Sequence, residues 1–248
     1  MNKIPLMTNL LAVETSGPFL SVAVKKGGRP VRRAHMKGFS RHVESLIPLI
    51  DRLLKKEKLS IRDIGAFLIG RGPGSFTGLR VGFATLKGFL AVRERPCFGA
   101  LSLDLIAANV NPGRGDPGSN RVRTPILAVC LNAKRDKLYV RSYRYHKKGW
   151  KPLGAPAAEE PGAWLGGLPE GTWIAGDGLA ICRLGLLGKL GPLPEKHWYP
   201  DAATLIALYE RKDPLLRKLT RPKDLLPFYL RASEAEERLK TAGSRSRR

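Results

Sequence analysis

The residues of this sequence whose types and spacing suggest chemistry form a glycine-rich turn at residues 70–80, which reads GRGPGSFTGLR. The turn carries four glycines and one proline, and it joins an apolar run to a segment of helical periodicity. Glycine tolerates positive φ angles and close backbone approach, and free N–H groups at a helix start can bind an anion. The segment is therefore predicted to be either a tight structural turn or a contact for a phosphate or nucleotide. The residues that would make such a contact are Gly72, Gly74, Ser75, Thr77, Glu14 and Thr15.

The turn does not match the two common phosphate-binding sequence patterns. A phosphate loop ends in Gly-Lys followed by Ser or Thr, whereas this turn ends in Gly78-Leu79-Arg80. Its glycines also lack the spacing of the dinucleotide-binding fingerprint. The glycines alone therefore do not define a nucleotide-binding enzyme.

Groups that could catalyse a reaction are scarce in this sequence. Hydrolysis of a nucleoside triphosphate needs acidic side chains at strand ends, which hold Mg²⁺ and position water. The first apolar run ends in Glu14, but the corresponding run at 126–131 is followed by the neutral Asn132. A metal-binding helix would carry two histidines four residues apart, and His42 is followed at that spacing by Leu46. We predict no catalytic residue, no metal ligand and no independent ATP hydrolysis.

An alternation of strands and helices must position these residues. Apolar or alternating runs predict five strands in the first part of the chain, and helical periodicity predicts two helices there. The strands are expected at 10–14, 19–25, 30–36 and 66–70 and around Cys97, and the helices at 40–54 and 77–92. Ser40 is the predicted N-cap of the first helix, and Pro48 inside this helix predicts a kink.

The opening order of elements recurs after a polar loop. Residues 111–124 are rich in Gly, Pro, Arg, Asn and Ser, which predicts a surface loop or a flexible insertion. Beyond it, runs at 126–131 and 138–145 repeat the strand-turn-strand start of the chain. The repeat predicts a duplicated α/β architecture. The predicted divisions are an N-terminal subdomain at 1–105, a C-terminal subdomain at 106–231 and a basic, disordered tail at 232–248.

The predicted second helix is apolar around most of its circumference. It mixes glycines and alanines with larger apolar residues, and Thr85 and Lys87 are the exceptions. Such a helix is typically buried on more than one side, and its glycines allow a neighbouring helix to approach closely. The pattern fits a core helix of a monomer as well as a helix that also packs against a partner subunit.

Positive charge is the unusual bulk property of the chain. Its 44 Lys and Arg residues oppose 21 Asp and Glu residues, which leaves a net charge of +23. A surface of this kind attracts polyanions by releasing their counterions, so RNA is an expected partner. A generally basic, solvated surface is the alternative, because the basic segments lack the interleaved aromatic residues of a base-stacking platform.

Other bulk features indicate a cytoplasmic protein with no membrane partner. No apolar run approaches the roughly 20 residues that cross a bilayer, and we recognise no signal peptide. Three widely separated cysteines form neither a disulfide framework nor a zinc pattern, which fits a reducing compartment.

The glycine turn lies within a longer run, residues 69–82, that resembles the signature of the TsaB family, also called YeaZ. Other pieces resemble the same family in the same order: LAVETS at 11–16, HVESLIP at 42–48 and LSL at 101–103. Weaker landmarks are NAKR at 132–135 with Tyr139, GDG at 176–178 and FYLR at 228–231. The resemblance is strong over residues 10–105 and patchy from there to residue 231.

Members of this family are subunits of the bacterial tRNA threonylcarbamoyladenosine synthase. The resemblance implies an actin-like ATPase and sugar-kinase (ASKHA) fold with two related α/β subdomains. It also implies a non-catalytic partner of TsaD, the subunit that transfers threonylcarbamoyl to the adenosine next to the anticodon, and recruitment of the ATPase TsaE. ATP and Mg²⁺ would be used by the partner subunits, and tRNA would be bound through the complex.

In this family the two N-terminal helices pack against TsaD, and by position they correspond to 42–54 and 77–92 here. The resemblance thus implies a partner interface at His42, Leu46, Ile50, Leu53, Gly78, Gly82, Phe83, Leu86 and Leu90. An exposed apolar face on these helices would also permit a homodimer when the chain is alone. Two rival functions stay open: a free-standing ATP-binding protein or kinase of the same fold, and a homodimeric RNA-binding module.

Overall fold

The computed structural model describes residues 8–38, 42–112, 125–147, 149–182 and 189–231. Three sequence predictions concern residues outside these ranges: the N-cap Ser40, the loop at 111–124 from residue 113 onward, and the tail at 232–248.

Two mixed β-sheets organise the described residues. Their strands are β1 (Leu10–Glu14), β2 (Phe19–Lys25), β3 (Arg32–Lys37), β4 (Ala66–Gly70), β5 (Cys97–Ala100), β6 (Ile126–Asn132), β7 (Leu138–His146), β8 (Gly149–Pro152), β9 (Ala157–Glu159), β10 (Trp173–Ala175), β11 (Gly191–Pro192) and β12 (Arg217–Leu219). The first sheet has the order β12-β5-β4-β1-β2-β3, and the second has the order β11-β10-β6-β7-β8, with β9 paired to β7. The predicted strands at 10–14, 19–25 and 66–70 are confirmed at those bounds.

Helices cover both faces of the first sheet. The α-helices of the described ranges are α1 (His42–Lys56), α2 (Phe76–Val92), α3 (Ser102–Asn109), α4 (Pro161–Gly166) and α5 (Ala202–Arg211). Helices α1 and α2 pack on one face and α5 packs on the other. Successive side chains of a strand point to opposite faces, so Leu11 and Val13 of β1 contact α1 and α2 while Leu10 and Ala12 contact α5. Burial on both faces explains why β1 and β4 read as continuous apolar runs.

The second sheet repeats the central pairing of the first. Strand β1 pairs antiparallel with β2 and parallel with β4, and β6 pairs antiparallel with β7 and parallel with β10. Helix α3 packs on one face of the second sheet, where its Leu103 and Ile106 meet Leu127 and Val129 of β6. Each sheet thus forms the centre of one of two related α/β units, as the internal repeat predicted.

The chain returns to the first sheet near its carboxyl end. Helix α5 packs on β1, β2 and β4, and β12 pairs antiparallel with β5 at the edge of the first sheet. The predicted division at 106–231 therefore assigns these two elements to the second unit, whereas they complete the first. Within the described ranges, no helix has both the length and the apolar character that crossing a bilayer requires.

Candidate functional site

The glycine turn links β4 to α2 at the end of the central strand pair. Ser75 is the N-cap of α2, because its Oγ accepts a hydrogen bond of 3.1 Å from the N–H of Gly78. Gly72 has a φ angle of +91°, a conformation that side chains other than glycine rarely adopt. The turn therefore needs glycine at this position for backbone reasons alone.

The other glycines let the turn close around the connection between β1 and β2. The N–H of Ser75 donates a hydrogen bond of 2.8 Å to the carbonyl oxygen of Ser16. A Cβ atom at Gly74 would stand 2.5 Å from that same oxygen, and a Cβ at Gly78 would overlap the carbonyl oxygen of Thr15. Close packing against the chain's own backbone thus accounts for these glycines, which favours the structural interpretation of the turn.

Glu14 is enclosed at the centre of this contact. Its side chain is fully buried, its Oε1 accepts a hydrogen bond of 2.5 Å from the N–H of Ser16, and its Oε2 lies against Gly70. Among the described residues, Glu14 Oε2 and the Oγ1 of the neighbouring Thr15 have no hydrogen-bond partner. Burial, partly offset by the hydrogen bond to Ser16, raises the pKa of Glu14 to about 7.

These contacts correct the prediction that Glu14 and Thr15 face an external anion. Both residues are fully buried, and Gly72 is buried as well. Gly74 and Ser75 are half-buried and contact Ser16, whereas Thr77 is exposed on the first turn of α2. Of the six predicted contact residues, Thr77 is the one whose side chain is largely open to solvent.

The buried carboxyl of Glu14 makes stability depend on pH in a defined direction. Below pH 4.5 the carboxyl is protonated in the folded and the unfolded chain. Between pH 4.5 and about 7 only the unfolded chain ionises, so stability falls as pH rises. At ~1.4 kcal/mol per pH unit, the cost above pH 7 reaches about 3 kcal/mol.

Replacing Glu14 with Gln is therefore expected to raise the free energy of unfolding at pH 8 and to leave it nearly unchanged at pH 4.5. Urea denaturation at the two pH values measures this difference. Glu44→Gln, which makes the same atomic change on the exposed side of α1, is the control and should not reproduce the gain in stability at pH 8. A Glu14→Gln chain that is no more stable than the unaltered one at pH 8 would contradict the burial of an uncharged carboxyl.

The second unit carries a similar but smaller glycine turn after β10. Gly176 has a φ angle of +115°, and a Cβ at this position would overlap the carbonyl oxygen of Cys130 on β6. The following Asp177 accepts a hydrogen bond of 2.9 Å from the N–H of Asn132, and burial raises its pKa. The sequence analysis expected an acidic group at position 132 and did not identify Asp177 as the acidic residue of this strand end. The Gly-Asp-Gly sequence at 176–178, typical of a turn, could have indicated it.

Most residues of the predicted partner interface lie on the buried faces of the two helices. Seven of its nine residues are buried against the first sheet or against the β1–β2 connection of the same chain. These residues are Leu46, Ile50, Leu53, Gly78, Gly82, Phe83 and Leu86. Leu90 is half-buried, and the side chain of His42 lies outside what the structure describes. Large apolar residues at helical spacing identify the face that packs in the core, so they cannot also serve a partner.

The opposite face of the two helices is exposed and contains small or apolar residues. On α2, Ala84, Gly88 and Ala91 are exposed at a spacing that puts them on one side of the helix, and a Cβ at Gly88 would contact nothing within 4 Å. On α1, which packs beside α2, Ile47 is 49% exposed and Pro48 is exposed. We call these five exposed residues of two adjacent helices the small-residue face; small side chains on a helix permit close approach of another helix.

Comparisons with known proteins identify the class. The family model of TsaD, tRNA N6-adenosine threonylcarbamoyltransferase, matches residues 37–186, which is more than half of the chain. The structure of YeaZ from Pseudomonas aeruginosa covers 90% of this chain and 100% of its own, with a TM-score of 0.71 and 22% identity. The two related mixed sheets, together with the similarity to the YeaZ structure, show that the chain has the actin-like ATPase (ASKHA) fold. Within that fold, the chain belongs to the TsaB family, also called YeaZ.

Curated relatives support the assignment at moderate identity. The chain is 30% identical over 141 residues to the tRNA threonylcarbamoyladenosine biosynthesis protein TsaB of Escherichia coli, a match that covers 56% of this chain and 57% of that protein. It is 31% identical over 177 residues to a protein of Mycobacterium leprae, which covers 69% of this chain and 45% of that protein. The chain thus spans about half the length of these curated relatives.

Proposed function

We propose that this protein is a non-catalytic subunit of the machinery that attaches threonylcarbamoyl to the adenosine next to the anticodon of tRNA. Membership in the TsaB family supports a role in threonylcarbamoyladenosine biosynthesis, and the names of its curated relatives agree with that role. The single observation that carries the subunit assignment is the small-residue face, exposed on two adjacent helices of the first unit. In this proposal the face docks on TsaD, and the heterodimer recruits TsaE.

The geometry of the glycine turn supports a non-catalytic role for this chain. An ATPase of this fold needs open space at the strand ends for phosphates and Mg²⁺, and acidic groups that ligate the ion. Here Thr15 and Ser16 pack against the glycine turn, and Glu14 is enclosed with its pKa raised to about 7, so its carboxyl is not open to an external ion. We therefore assign no cofactor to this chain and assign ATP and Mg²⁺ to the partner subunits.

Reconstitution of the tRNA modification tests the proposal directly. The purified chain is combined with TsaD and TsaE of the same cell, an unmodified tRNA transcript, ATP and the threonylcarbamoyl donor. We expect modification only when this chain is present, and we expect the chain to co-purify with TsaD. A TsaD that modifies tRNA at full rate without this chain would contradict the proposal.

Calorimetry with the isolated chain separates this proposal from the rival enzyme. We expect a flat titration with Mg-ATP, because Glu14 is enclosed and the chain's own backbone packs closely against the glycine turn. Micromolar ATP binding with turnover would instead support a free-standing kinase or ATPase of the same fold. When the chain is alone, the same small-residue face is also the surface through which a homodimer would form.

A further inference from the structure

Two arginines from distant parts of the sequence lie side by side at one edge of the first sheet. Arg217 of β12 is the cross-strand partner of Gly99 on β5. The side chain of Arg217 therefore lies on the same face of the sheet to which a Cβ atom at Gly99 would point. The Cγ and Cδ atoms of Arg71 lie 2.7 Å from that position. The missing side chain of Gly99 thus lets Arg71 lie across β5 toward Arg217.

Neither arginine of this pair forms a direct ion pair with an acid among the described residues. Burial, and secondarily the nearby charge of Arg217, lower the pKa of Arg71, and its buried Nε has no hydrogen-bond partner within the described ranges. The acidic group in the neighbourhood, Asp224, binds the guanidinium of Arg221 through two hydrogen bonds of 3.2 Å. The charge of Asp224 acts to raise the pKa of Arg71, but its side-chain hydrogen bonds are made to Arg221, so the Arg71–Arg217 pair retains the capacity to bind an anion.

An aromatic contact adjoins the arginine pair. The N–H of Phe228 donates a hydrogen bond of 2.7 Å to the carbonyl oxygen of Arg71, which fixes the next residue, Tyr229, near the glycine turn. The ring of Tyr229 lies 4.9 Å from the ring of Phe76 at the start of α2, and 39% of Tyr229 is exposed. On Phe76, the guanidinium carbon of Arg80 lies 3.9 Å from the ring centroid.

The two edges of the first sheet differ in how their basic residues are paired with acids. On the opposite edge of the same sheet, Arg32 pairs with Glu57, Arg33 pairs with Asp201 and Lys25 pairs with Glu210. In the part of the chain that the structure describes, no ion pair is found for Arg71, Arg80 or Arg217. Positive charge without an ion pair thus lies beside an exposed aromatic side chain at this edge.

We propose that Arg71, Arg217, Phe76, Arg80 and Tyr229, the arginine–tyrosine cluster, form a binding site for an unpaired stretch of RNA. The arginines bind phosphodiester groups, and a base stacks on the exposed ring of Tyr229. The sequence gives no sign of this arrangement, because the aromatic and basic residues come from three separate segments. If the proposed function holds, on which this assignment rests, the RNA is the tRNA substrate, and this chain contacts it directly.

The test is RNA binding by the full purified chain, measured by fluorescence anisotropy with an unmodified tRNA transcript and with an oligonucleotide of its anticodon loop. Titrations run between about 50 mM and about 200 mM salt, the range in which phosphate contacts show their salt dependence. The variants are Arg217→Gln and Tyr229→Leu, which change exposed groups of the cluster. The matched control is Lys151→Gln, which removes one exposed positive charge on β8 of the second sheet.

We expect Arg217→Gln to weaken binding several-fold and to reduce the slope of log K against log salt by about 0.7–0.9. Tyr229→Leu should weaken binding about tenfold without changing that slope. Lys151→Gln should bind within twofold of the unaltered chain. Undiminished binding by both cluster variants, equal loss in the control, or no RNA binding by the chain would each overturn the proposal.

Two further measurements separate the possible origins of a negative result. A large molar excess of ATP should leave the RNA bound. Displacement of the RNA by ATP would instead indicate that the arginine pair binds a free nucleotide. Both cluster variants should still co-purify with TsaD, because neither substitution lies on the small-residue face. Loss of RNA binding with intact co-purification supports the cluster, whereas a chain that never co-purifies with TsaD refutes the proposed function and leaves the RNA titration interpretable.

Discussion

Arginine at Ala84 or Gly88 is expected to abolish the complex with TsaD, weakening binding by at least about 100-fold. Both positions lie on the exposed side of α2, and their small size is what permits close approach of a partner helix. An arginine there holds the two helices apart and places a charge in an apolar contact that excludes water. Size-exclusion chromatography of the co-expressed pair and calorimetry of the separate proteins measure the loss.

One substitution controls for the added charge, and one measurement controls for effects on folding. Ala163→Arg introduces the same side chain at an exposed alanine of α4, and we expect it to leave complex formation intact. Circular dichroism of the Gly88→Arg chain should show an unchanged fold, since a side chain at this position meets nothing within 4 Å. A complex that survives both Ala84→Arg and Gly88→Arg would place the docking surface elsewhere. Leu46→Asp is unsuitable as a probe, because Leu46 is fully buried and the change would unfold the chain.

Alanine at Gly78 is expected to destabilise the protein by about 3 kcal/mol or more. Its methyl group would overlap the carbonyl oxygen of Thr15, which is backbone and cannot rotate away. Relief of the overlap requires α2 to move away from the β1–β2 connection, and this loosens the buried contact around Glu14. For a chain of this size we expect the melting temperature to fall by roughly 10 °C, measurable by scanning calorimetry.

Gly88→Ala is the matched control for Gly78→Ala, because it makes the same change in the same helix. Gly88 faces open space, so the added methyl group meets no neighbour and removes the conformational cost of glycine within a helix. We expect stability to rise by about 0.5–1 kcal/mol. Equal effects at the two positions would show that helix propensity, rather than close approach to Thr15, determines the need for glycine.

The fold of the first unit could be predicted well because its strands are continuous apolar runs between turn residues. Strands β1, β2 and β4 begin and end where the hydrophobic pattern does. The second unit was less predictable, since its strands after β7 are two to four residues long, too short to show a period. Helix α5 did carry a readable signal: Asp201 caps it by accepting a hydrogen bond from Ala203, followed by apolar residues at helical spacing.

The candidate site was predicted only in part, because its contacts depend on the tertiary structure. The glycine turn was located from the sequence. Periodicity does not distinguish glycines that pack against the chain's own backbone from glycines that are exposed on the surface. Gly78 and Gly88 look alike in the sequence, yet one faces Thr15 and the other faces solvent. The arginine–tyrosine cluster joins Arg71 to Arg217 through the pairing of β12 with β5, and to Tyr229 through the hydrogen bond of Phe228 to Arg71. No local pattern contains that information.

The late return of α5 and β12 to the first sheet has a consequence for synthesis on the ribosome. Residues 10–100 emerge with one face of their sheet bare, because Leu10, Ala12 and Leu68 are covered by α5, and the edge strand β5 is unpaired until β12 arrives. Exposed apolar surface and an open strand edge are the conditions under which nascent chains associate wrongly. The first unit can therefore reach its final state only after α5 and β12 have left the exit tunnel, although most of its strands are made first.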